Sequence, residues 1–389
     1  MSSGRSLVEP IRDDLTTKMV LLAGPRQVGK ATLGDQLLAA DSSGAYFNWD
    51  NRDDRRDIRA AHWPGGGGLV VLDELHKWRG WKRWLKGEFD KHRRTTRFLV
   101  TGSARMDVFR HGGDSLQGRY HHYRLHPFSL AEMESARRRT IEPGAPLQIG
   151  RGDRSALDAL LAFSGFPEPL LAGAVRTHRR WQKDRLDRVF REDVRDLEAV
   201  RDLAAIENLA EMLPSRVGSL LSLNALREDL EVSHRAVTHW IDVLDRLYHV
   251  FRVRPFEGRK VRSLRRMPKA YLWDWTLVPD PGARFENLVA SHLLKFTHYL
   301  RDTDGHDVDL HYLRDRAGHE VDFLVTHGGR PWFAVEVKLA DTNIDPAIHY
   351  FQQRLKIPFV FQVVRDGTRD FVEGTVRCLP AEQFLTALC

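Results

Sequence analysis

The segment from Gly24 to Lys30, GPRQVGK, has the residue types and spacing of a phosphate-binding loop. An apolar run precedes it and a helical pattern follows, so backbone N–H groups can surround phosphates while Lys30 reaches the β- and γ-phosphates. The pattern G-x-x-x-x-G-K-[ST] next needs a hydroxyl for Mg²⁺, but this chain has Ala31 there and Thr32 one position later. We therefore predict nucleotide binding, while the missing hydroxyl leaves the efficiency of hydrolysis open. The candidate nucleotide-contacting residues are Gly24, Pro25, Arg26, Gln27, Val28, Gly29, Lys30, Ala31 and Thr32.

Two acidic residues and a serine that follow apolar runs could complete this site. The run 69–72 leads into Asp73 and Glu74, and the run that ends at residue 101 leads into Ser103 after one glycine. A carboxylate at the end of a buried strand can hold Mg²⁺ through water, and a neighbouring glutamate can polarise the attacking water. We expect Asp73 to serve the metal, Glu74 to activate water, and Ser103 to orient the γ-phosphate and that water.

One arginine is a candidate for the nucleotide of a neighbouring subunit, where it would neutralise transition-state charge. Arg119 follows Gly118 after a polar loop and is the first candidate for this role. Arg105, close to Ser103 in the sequence, competes for it. The alternative is that Arg119 is an ordinary structural residue at the surface.

A second set of charged residues lies near the C-terminus. Glu336 and Lys338 stand two positions apart on a predicted strand, so their side chains point to the same face, and Asp322 lies on the preceding strand. Two carboxylates can hold a divalent ion, while a lysine positions or helps deprotonate water and offsets phosphate charge. Glu286, on a predicted helix, could add another metal-side group. The alternatives are an exposed Glu–Lys pair, a related fold kept for binding alone, and an unrelated fold.

Composition limits the class of protein. Lys and Arg number 60 against 53 acidic residues, and the formal net charge of +7 is a mild preference for polyanions. A length of 389 residues predicts two or three domains. The two cysteines, Cys378 and Cys389, cannot build a disulfide framework or a CxxC metal site, which favours a reducing compartment. Apolar runs are only strand-sized and no apolar signal segment opens the chain, so we expect a cytoplasmic protein without membrane contact.

The order of strands and helices predicts the fold class. Up to about residue 130, strands at 18–23, 45–49, 69–72 and 97–101 alternate with helices, which predicts an α/β parallel sheet with helices on both faces. Such a sheet binds its ligand at the carboxyl ends of the strands. Helical periodicity dominates from about residue 130 to 255. The remaining chain mixes a helix at 285–296 with strands at 309–314, 320–325, 332–338 and 358–364.

Residues 222–253 predict two helices and a strand, the order of a helix-turn-helix followed by a wing. Ser233 is a suitable N-cap, and Arg235 and His239 would lie on the outer face of the second helix. A helical adaptor that packs against protein is the alternative. The apolar positions are Leu226, Val232, Val237, Trp240, Leu244 and Leu247.

A basic segment follows this region. It could contact phosphates or could be a solvated linker. Its members are Arg254, Arg259, Lys260, Arg262, Arg265, Arg266 and Lys269.

The segments GPRQVGK, LVVLDEL, TGSA and LQGRYHHYRLHPFSLAE resemble one group of AAA+ ATPases, in which an ATPase core precedes a C-terminal domain of long-unassigned function. The stretches 165–169 and 191–193 resemble the middle region of that group. The resemblance implies an ATP–Mg²⁺ site completed by a neighbouring subunit in a homo-oligomeric ring, with a hexamer as one candidate size. The group carries Ser or Thr where this chain has Ala31.

The terminal charged set resembles the PD-(D/E)XK nuclease fold. The resemblance implies Glu286, Asp322 and Glu336 as metal ligands and Lys338 as a catalytic group. We therefore expect four regions. They are an AAA+ P-loop ATPase core at 1–135, a helical lid at 136–205, a winged-helix-like region at 206–258 and a PD-(D/E)XK-like α/β domain at 259–389.

Taken together, these features predict an ATP-binding AAA+ ATPase that uses Mg²⁺ and acts on DNA, with a metal-dependent nuclease-like terminal domain. The alternative is an ATP-gated switch that binds DNA or protein. In that case hydrolysis is weak or absent and the nuclease-like domain is inactive.

Overall fold

The structure is a computed structural model that describes residues 4–41, 43–63, 67–103, 116–134, 140–190, 203–257, 267–340 and 343–389. The chain divides into two units, Met1–His126 and Pro127–Cys389. Among the residues described, no helix is both long enough and apolar enough to cross a membrane. Arg105, the stretch 191–193 and the basic residues of the stretch 259–266 lie outside the described residues.

A five-stranded parallel sheet forms the centre of the first unit. Its strands are β1 (Met19–Ala23), β2 (Ala45–Asn48), β3 (Gly68–Asp73), β4 (Thr96–Gly102) and β5 (Tyr120–Arg124). They lie in the order β2-β3-β4-β1-β5, and all neighbours are parallel. Strand β1 is buried along its whole length, as expected for a parallel strand covered on both faces. All five carboxyl ends therefore meet at one edge.

Four α-helices accompany this sheet in the described part of the unit. They are α1 (Val8–Asp14), α2 (Lys30–Ala39), α3 (Arg52–Ala60) and α4 (Trp81–His92), and a short 3₁₀ turn spans Leu75–Lys77. Asn51 caps α3 because its side chain accepts hydrogen bonds from the backbone N–H groups of Asp53 and Asp54. Helix α4 buries Trp81, Leu85 and Phe89 at a spacing of one turn, which gives it a single apolar face.

The second unit begins with helices. They are α5 (Leu130–Glu134), α6 (Arg154–Phe163), α7 (Pro167–Ala172), α8 (Val175–Arg188), α9 (Leu203–Met212), α10 (Leu223–Asp229) and α11 (His234–Arg246). The side chains of Ser222 and Ser233 cap α10 and α11, so the predicted helix pair and its Ser233 cap are confirmed. The Phe166 ring lies 5.0 Å from Trp181, and the Arg185 guanidinium lies 4.4 Å from the Phe166 ring centre.

An eight-stranded mixed sheet completes the second unit, in the order β12-β13-β11-β10-β9-β8-β6-β7. Its strands are β6 (Val250–Pro255), β7 (Lys269–Leu272), β8 (Val308–Arg314), β9 (Glu320–His327), β10 (Arg330–Lys338), β11 (Phe359–Val364), β12 (Phe371–Glu373) and β13 (Val376–Pro380). Helix α12 (Pro281–Asp304) follows β7 in the chain, α13 (Pro346–Leu355) follows β10, and α14 (Ala381–Thr386) follows β13.

The strand predicted as a wing belongs to this larger sheet. Strand β6 pairs antiparallel with β7, and its end pairs in parallel with β8 through Arg254 and His311. Leu220, just before α10, forms an antiparallel bridge with Lys269. The region at 206–258 is therefore continuous with the terminal sheet through β6 and β7.

Candidate functional site

The loop between β1 and α2 has the backbone of a phosphate-binding turn. Gln27 and Gly29 adopt φ values of 61° and 99°, and α2 begins directly at Lys30. The Lys30 ammonium donates hydrogen bonds to the carbonyl oxygens of Gly24 and Pro25, each at 2.9 Å. This lysine is only 7% exposed, so its charge is held against the loop that would surround the phosphates.

Contacts within the first unit hold the loop in place. The Arg5 guanidinium donates to the carbonyl oxygens of Val28 and His126. A Cβ atom on Gly24 would lie 2.5 Å from the carbonyl oxygen of Leu125, so only glycine fits there. Sequence analysis missed Arg5, because a basic residue near the chain start carries no motif.

Asp73, at the end of β3, is fixed by two hydroxyl groups. The Tyr46 hydroxyl donates to Oδ2 of Asp73 at 2.6 Å, and the Thr101 hydroxyl donates to Oδ1. Burial and the hydrogen bond to Asp73 raise the pKa of Tyr46, so its hydroxyl stays protonated and remains a donor. Tyr46 and Thr101 were not predicted, because both lie within ordinary-looking strands.

Glu74 follows in a left-handed backbone conformation, with φ of 55°. The Ser103 hydroxyl lies 3.3 Å from its carboxylate, and the Lys77 ammonium and His76 imidazole lie 3.5 and 3.7 Å away. Burial lowers the pKa of His76, so near neutral pH its ring is uncharged. Glu74 is therefore a half-enclosed carboxylate with one adjacent cation, Lys77.

The strand order explains why these groups meet. Strand β4 lies between β1, which leads into the loop, and β3, which leads into Asp73 and Glu74. Ser103 follows the end of β4, so it lies between the loop and the acidic pair. Residues 24–30, 73–74 and 103 are thus brought to one edge of the sheet.

Arg119 lies at the other edge. Its carbonyl oxygen accepts a hydrogen bond from the N–H of Met19, the first residue of β1. The five residues of β1 then separate it from the loop, a distance of roughly 16 Å. The guanidinium forms a two-point ion pair with Asp90, at 2.7 and 3.1 Å. Arg119 is therefore directed away from the nucleotide loop of its own chain.

The terminal charged residues also converge, around a lysine that was not predicted to be there. The Lys269 ammonium lies 2.6 Å from the Glu320 carboxylate and 3.4 Å from those of Glu286 and Asp322. Lys269 is 2% exposed, so neither of the two alternatives for the basic segment, phosphate contact or a solvated linker, holds at this position. The Tyr271 hydroxyl donates to Glu286 at 2.7 Å. Together these residues form the carboxylate cluster: Lys269, Tyr271, Glu286, Glu320, Asp322 and Glu336.

Glu336 and Lys338 do share a face of β10, as their spacing predicts. The Lys338 ammonium lies 2.8 Å from Glu336 and 3.0 Å from Asp345, an acid that sequence analysis missed. The other oxygen of Glu336 accepts a hydrogen bond from the Asp322 backbone N–H at 3.3 Å. Asp322 in turn accepts one from the Val337 N–H at 3.0 Å. These backbone bonds tie β9 to β10 at the cluster.

The excess of acids raises the pKa of two carboxyl groups in the cluster. Burial and the charge of Asp322 raise the pKa of Glu286 to about 7 and that of Glu336 to about 8. Burial opposes the charge of Lys338, but Glu336 and Asp345 raise its pKa, so it stays cationic. The cluster therefore carries more negative than positive charge once Glu286 and Glu336 ionise.

Comparison with known families divides the chain into three segments. Residues 16–134 match the model of the AAA domain. This segment is an AAA domain. Residues 154–280 and 281–384 match two domains of unknown function, DUF8612 and DUF4143 respectively. The AAA family implies the use of a nucleotide, together with Mg²⁺, and the parallel sheet of five strands is the expected fold.

Two relatives share most of the chain length. Uncharacterized proteins of Mycobacterium bovis and Mycobacterium tuberculosis are each 24% identical over 391 residues, covering 95% of this chain and 81% of theirs. Among solved structures, a Walker-type ATPase of Pyrococcus abyssi matches with a TM-score of 0.42 and 13% identity, over 70% of this chain and 93% of that one. The Orc1 protein of Aeropyrum pernix, solved in complex with DNA, matches with a TM-score of 0.33 and 16% identity, over 73% and 91%.

The carboxylate cluster, which lies outside the AAA domain, does not fit a divalent metal in the arrangement seen here. One oxygen of Glu286 and one of Asp322 both contact the Lys269 ammonium, each at 3.4 Å. Within the described ranges, no group of three or more His, Cys, Asp or Glu side chains is arranged to hold a metal ion. The metal-binding role of Glu286, Asp322 and Glu336 therefore stays a prediction.

The raised pKa values give a pH dependence of stability. A carboxyl whose pKa is higher in the folded than in the unfolded chain contributes stability that is lost as the pH rises through its folded pKa. We expect the cluster to lose stability between about pH 4.5 and pH 8, since an unfolded glutamate titrates near 4.3. Glu336→Gln should flatten this part of the profile, measured as the melting temperature of the full chain against pH.

The matched control is Glu211→Gln, which removes an exposed carboxylate from α9. This variant should keep the wild-type profile. An unchanged slope in Glu336→Gln would contradict the assignment of the titration to the cluster.

Proposed function

We propose that this chain binds and hydrolyses ATP with Mg²⁺ at the loop of its AAA domain and couples the nucleotide to DNA binding. The observation that carries the proposal is the convergence of Lys30, Asp73, Glu74 and Ser103 at adjacent strand ends. In this scheme Lys30 and the loop amides bind phosphates, Asp73 serves Mg²⁺ and Glu74 polarises water.

The prediction for ATP hydrolysis concerns Glu74. Glu74→Gln should lower ATP turnover by about 10²- to 10⁴-fold, because general-base assistance is lost. ATP binding should persist, because Lys30 and the loop amides remain. Steady-state phosphate release and the binding of a fluorescent ATP analogue measure the two effects separately. Glu9→Gln, which removes an exposed acid from α1, is the matched control. Turnover unchanged in Glu74→Gln would refute the ATPase proposal.

The second prediction concerns Arg119 as the arginine supplied to a neighbouring subunit. Its position at the amino-terminal edge of β1 supports this role, because its own nucleotide loop lies at the opposite edge. Arg119→Ala should reduce turnover by about 10³-fold or more while ATP affinity is kept. Mixing Arg119→Ala with Glu74→Gln subunits should restore activity at interfaces that combine one intact Arg119 with one intact Glu74.

Asp90→Asn provides the control for that experiment. It breaks the same ion pair but leaves the arginine in place, so a catalytic role predicts near wild-type turnover. If Asp90→Asn loses as much activity as Arg119→Ala, the ion pair is structural and the trans role is wrong.

DNA binding is proposed for the region around α10 and α11. The capped helix pair, the bridge from Leu220 to Lys269 and the antiparallel strands β6 and β7 support a winged-helix-like arrangement. His234, Arg235 and His239 are exposed on α11, which would supply the side chains that face DNA. The basic residues between 259 and 266 would supply phosphate contacts.

The third prediction tests this surface. Arg235→Glu should weaken the binding of duplex DNA and reduce the salt slope of its affinity by about one unit. Fluorescence anisotropy across a salt series, with ATP, ADP or no nucleotide, measures both quantities. Arg176→Glu makes the same charge change at an exposed position of α8 and should leave the affinity unchanged. Equal losses in the two variants would indicate a general charge effect instead of an interface.

A second candidate function is supported by Ala31. An ATP-gated switch would change its DNA or protein affinity, or its assembly, on binding ATP without consuming it. The missing hydroxyl favours this reading, because it removes one direct Mg²⁺ ligand. ATP-dependent DNA affinity together with absent phosphate release would select the switch over the ATPase.

Metal-dependent DNA cleavage is a candidate activity of the terminal domain. It is supported by Asp322, Glu336 and Lys338, which lie on neighbouring strands. Lys269 within the cluster argues against it. We therefore expect supercoiled plasmid and branched DNA to stay intact with Mg²⁺ or Mn²⁺, analysed by gel electrophoresis. Cleavage that disappears in Glu336→Gln would overturn this expectation and establish the nuclease.

A further inference from the structure

The Lys269 ammonium contacts three carboxylates, those of Glu286, Glu320 and Asp322, at 3.4, 2.6 and 3.4 Å. Its side chain is 2% exposed, so water cannot solvate the ammonium group. A buried ammonium is retained only where acids compensate it, and buried acids need a cation in the same way. The lysine and the three acids therefore depend on one another.

Several other oxygens of the cluster also accept hydrogen bonds. Oε1 of Glu286 accepts from Tyr271 as well as from Lys269. The second oxygen of Asp322 accepts from the Val337 N–H. Glu336 uses one oxygen for Lys338 and the other for the Asp322 N–H. A divalent ion held by Asp322 and Glu336 would therefore compete with these donors for the carboxylate oxygens.

We propose that Lys269 is the resident cation of the carboxylate cluster and excludes a divalent metal from it. The lysine stands where the nuclease-like pattern would otherwise direct a metal, and it offsets part of the negative charge of the acids from α12 and β9 without any bound ion. The terminal domain then keeps its charged residues for folding and binding. This inference does not depend on the ATP and DNA proposals.

The test uses the full chain with Asp73→Asn, which removes the acid of the AAA domain that would hold a metal. Melting temperature is measured over a Mn²⁺ series at neutral pH without nucleotide. The parent should show no cluster-dependent response to Mn²⁺. Lys269→Met should melt at a lower temperature without metal and recover progressively with Mn²⁺, because the acids then lack a cation.

Lys295→Met is the matched control. Lys295 is a second buried lysine of the same unit, and its ammonium contacts the Glu132 carboxylate and the Pro127 carbonyl oxygen. Its loss should lower the melting temperature without any recovery by Mn²⁺. A second variant, Lys269→Met with Glu286→Gln, should lose the Mn²⁺ response, because one of the freed acids has become neutral.

Two outcomes would overturn the proposal. One is a Mn²⁺-induced rise of melting temperature in the parent that Glu286→Gln abolishes, since the metal would then bind beside the lysine. The other is a folded Lys269→Met variant that ignores Mn²⁺. If Lys269→Met does not fold, the parent and its Glu286→Gln form still decide between the two arrangements.

A different observation concerns the hydroxyl missing at Ala31. Tyr46 donates to Oδ2 of Asp73 at 2.6 Å from strand β2, outside the loop. Helix α2, which carries residue 31 in its first turn, contacts strand β2, which carries Tyr46. The tyrosine hydroxyl thus reaches Asp73 from the strand beside the helix on which a Ser or Thr at position 31 would stand.

We infer that Tyr46 is a positioning residue that orients Asp73 in place of the absent loop hydroxyl. This inference rests on the proposed Mg²⁺–ATP site. Tyr46→Phe should raise the Mg²⁺ concentration needed for half-maximal nucleotide binding, while nucleotide affinity at saturating Mg²⁺ stays close to wild type. Ala31→Thr alone should change this concentration little, and it should largely rescue Tyr46→Phe.

Tyr123→Phe is the control, because it removes an equivalent hydroxyl-to-carboxylate bond, to Asp14 at 2.6 Å, in the same sheet. It should leave the Mg²⁺ dependence unchanged. Additive effects of Ala31→Thr and Tyr46→Phe, with no rescue, would overturn the inference while leaving the ATP site intact. Absence of Mg²⁺-dependent nucleotide binding in the wild type would instead refute the proposed function.

Discussion

A carboxylate that leaves water must find a cation or hydrogen-bond donors, and this requirement organises both charged sites of the chain. In the AAA domain, the Asp73 carboxylate accepts hydrogen bonds from two hydroxyl groups. In the terminal sheet, Glu286 and Asp322 face a buried ammonium. The same requirement is thus met by hydroxyl donors at one site and by an internal cation at the other.

Parallel strand order accounts for most of what could be predicted of the AAA domain. Each part of the site comes directly after an apolar run in the sequence: the loop, the pair Asp73 and Glu74, and Ser103. The carboxyl ends of parallel strands lie at one edge of the sheet, whatever sequence connects the strands. Tyr46 was missed because its role depends on β2 lying next to β3, a pairing that local patterns do not encode. The opposite placement of Arg119 likewise emerges only from the pairing of β5 with β1.

The terminal region was less predictable because its contacts are less local. Lys269 stands at the end of a basic run, and its neighbours in sequence made a solvated position the natural expectation. Burial instead follows from the pairing of β7 with β6 and from the acids on α12 and β9. Strand β6 was predicted as a wing because its hydrophobic pattern does not reveal a parallel partner, β8, that lies across α12 in the sequence.

The kind of cation beside a cluster of acids determines which chemistry the cluster can support. A metal ion accepts several oxygen ligands and polarises bound water, whereas an ammonium donates hydrogen bonds and has no vacant coordination position. With Lys269 beside Glu286, Glu320 and Asp322, the ammonium offsets part of the negative charge of the cluster without acting as a Lewis acid. Lys338, which faces Glu336 and Asp345, lies at the edge of the cluster and is partly exposed. The buried lysine links its own strand, β7, to β9 and α12 through these ion pairs.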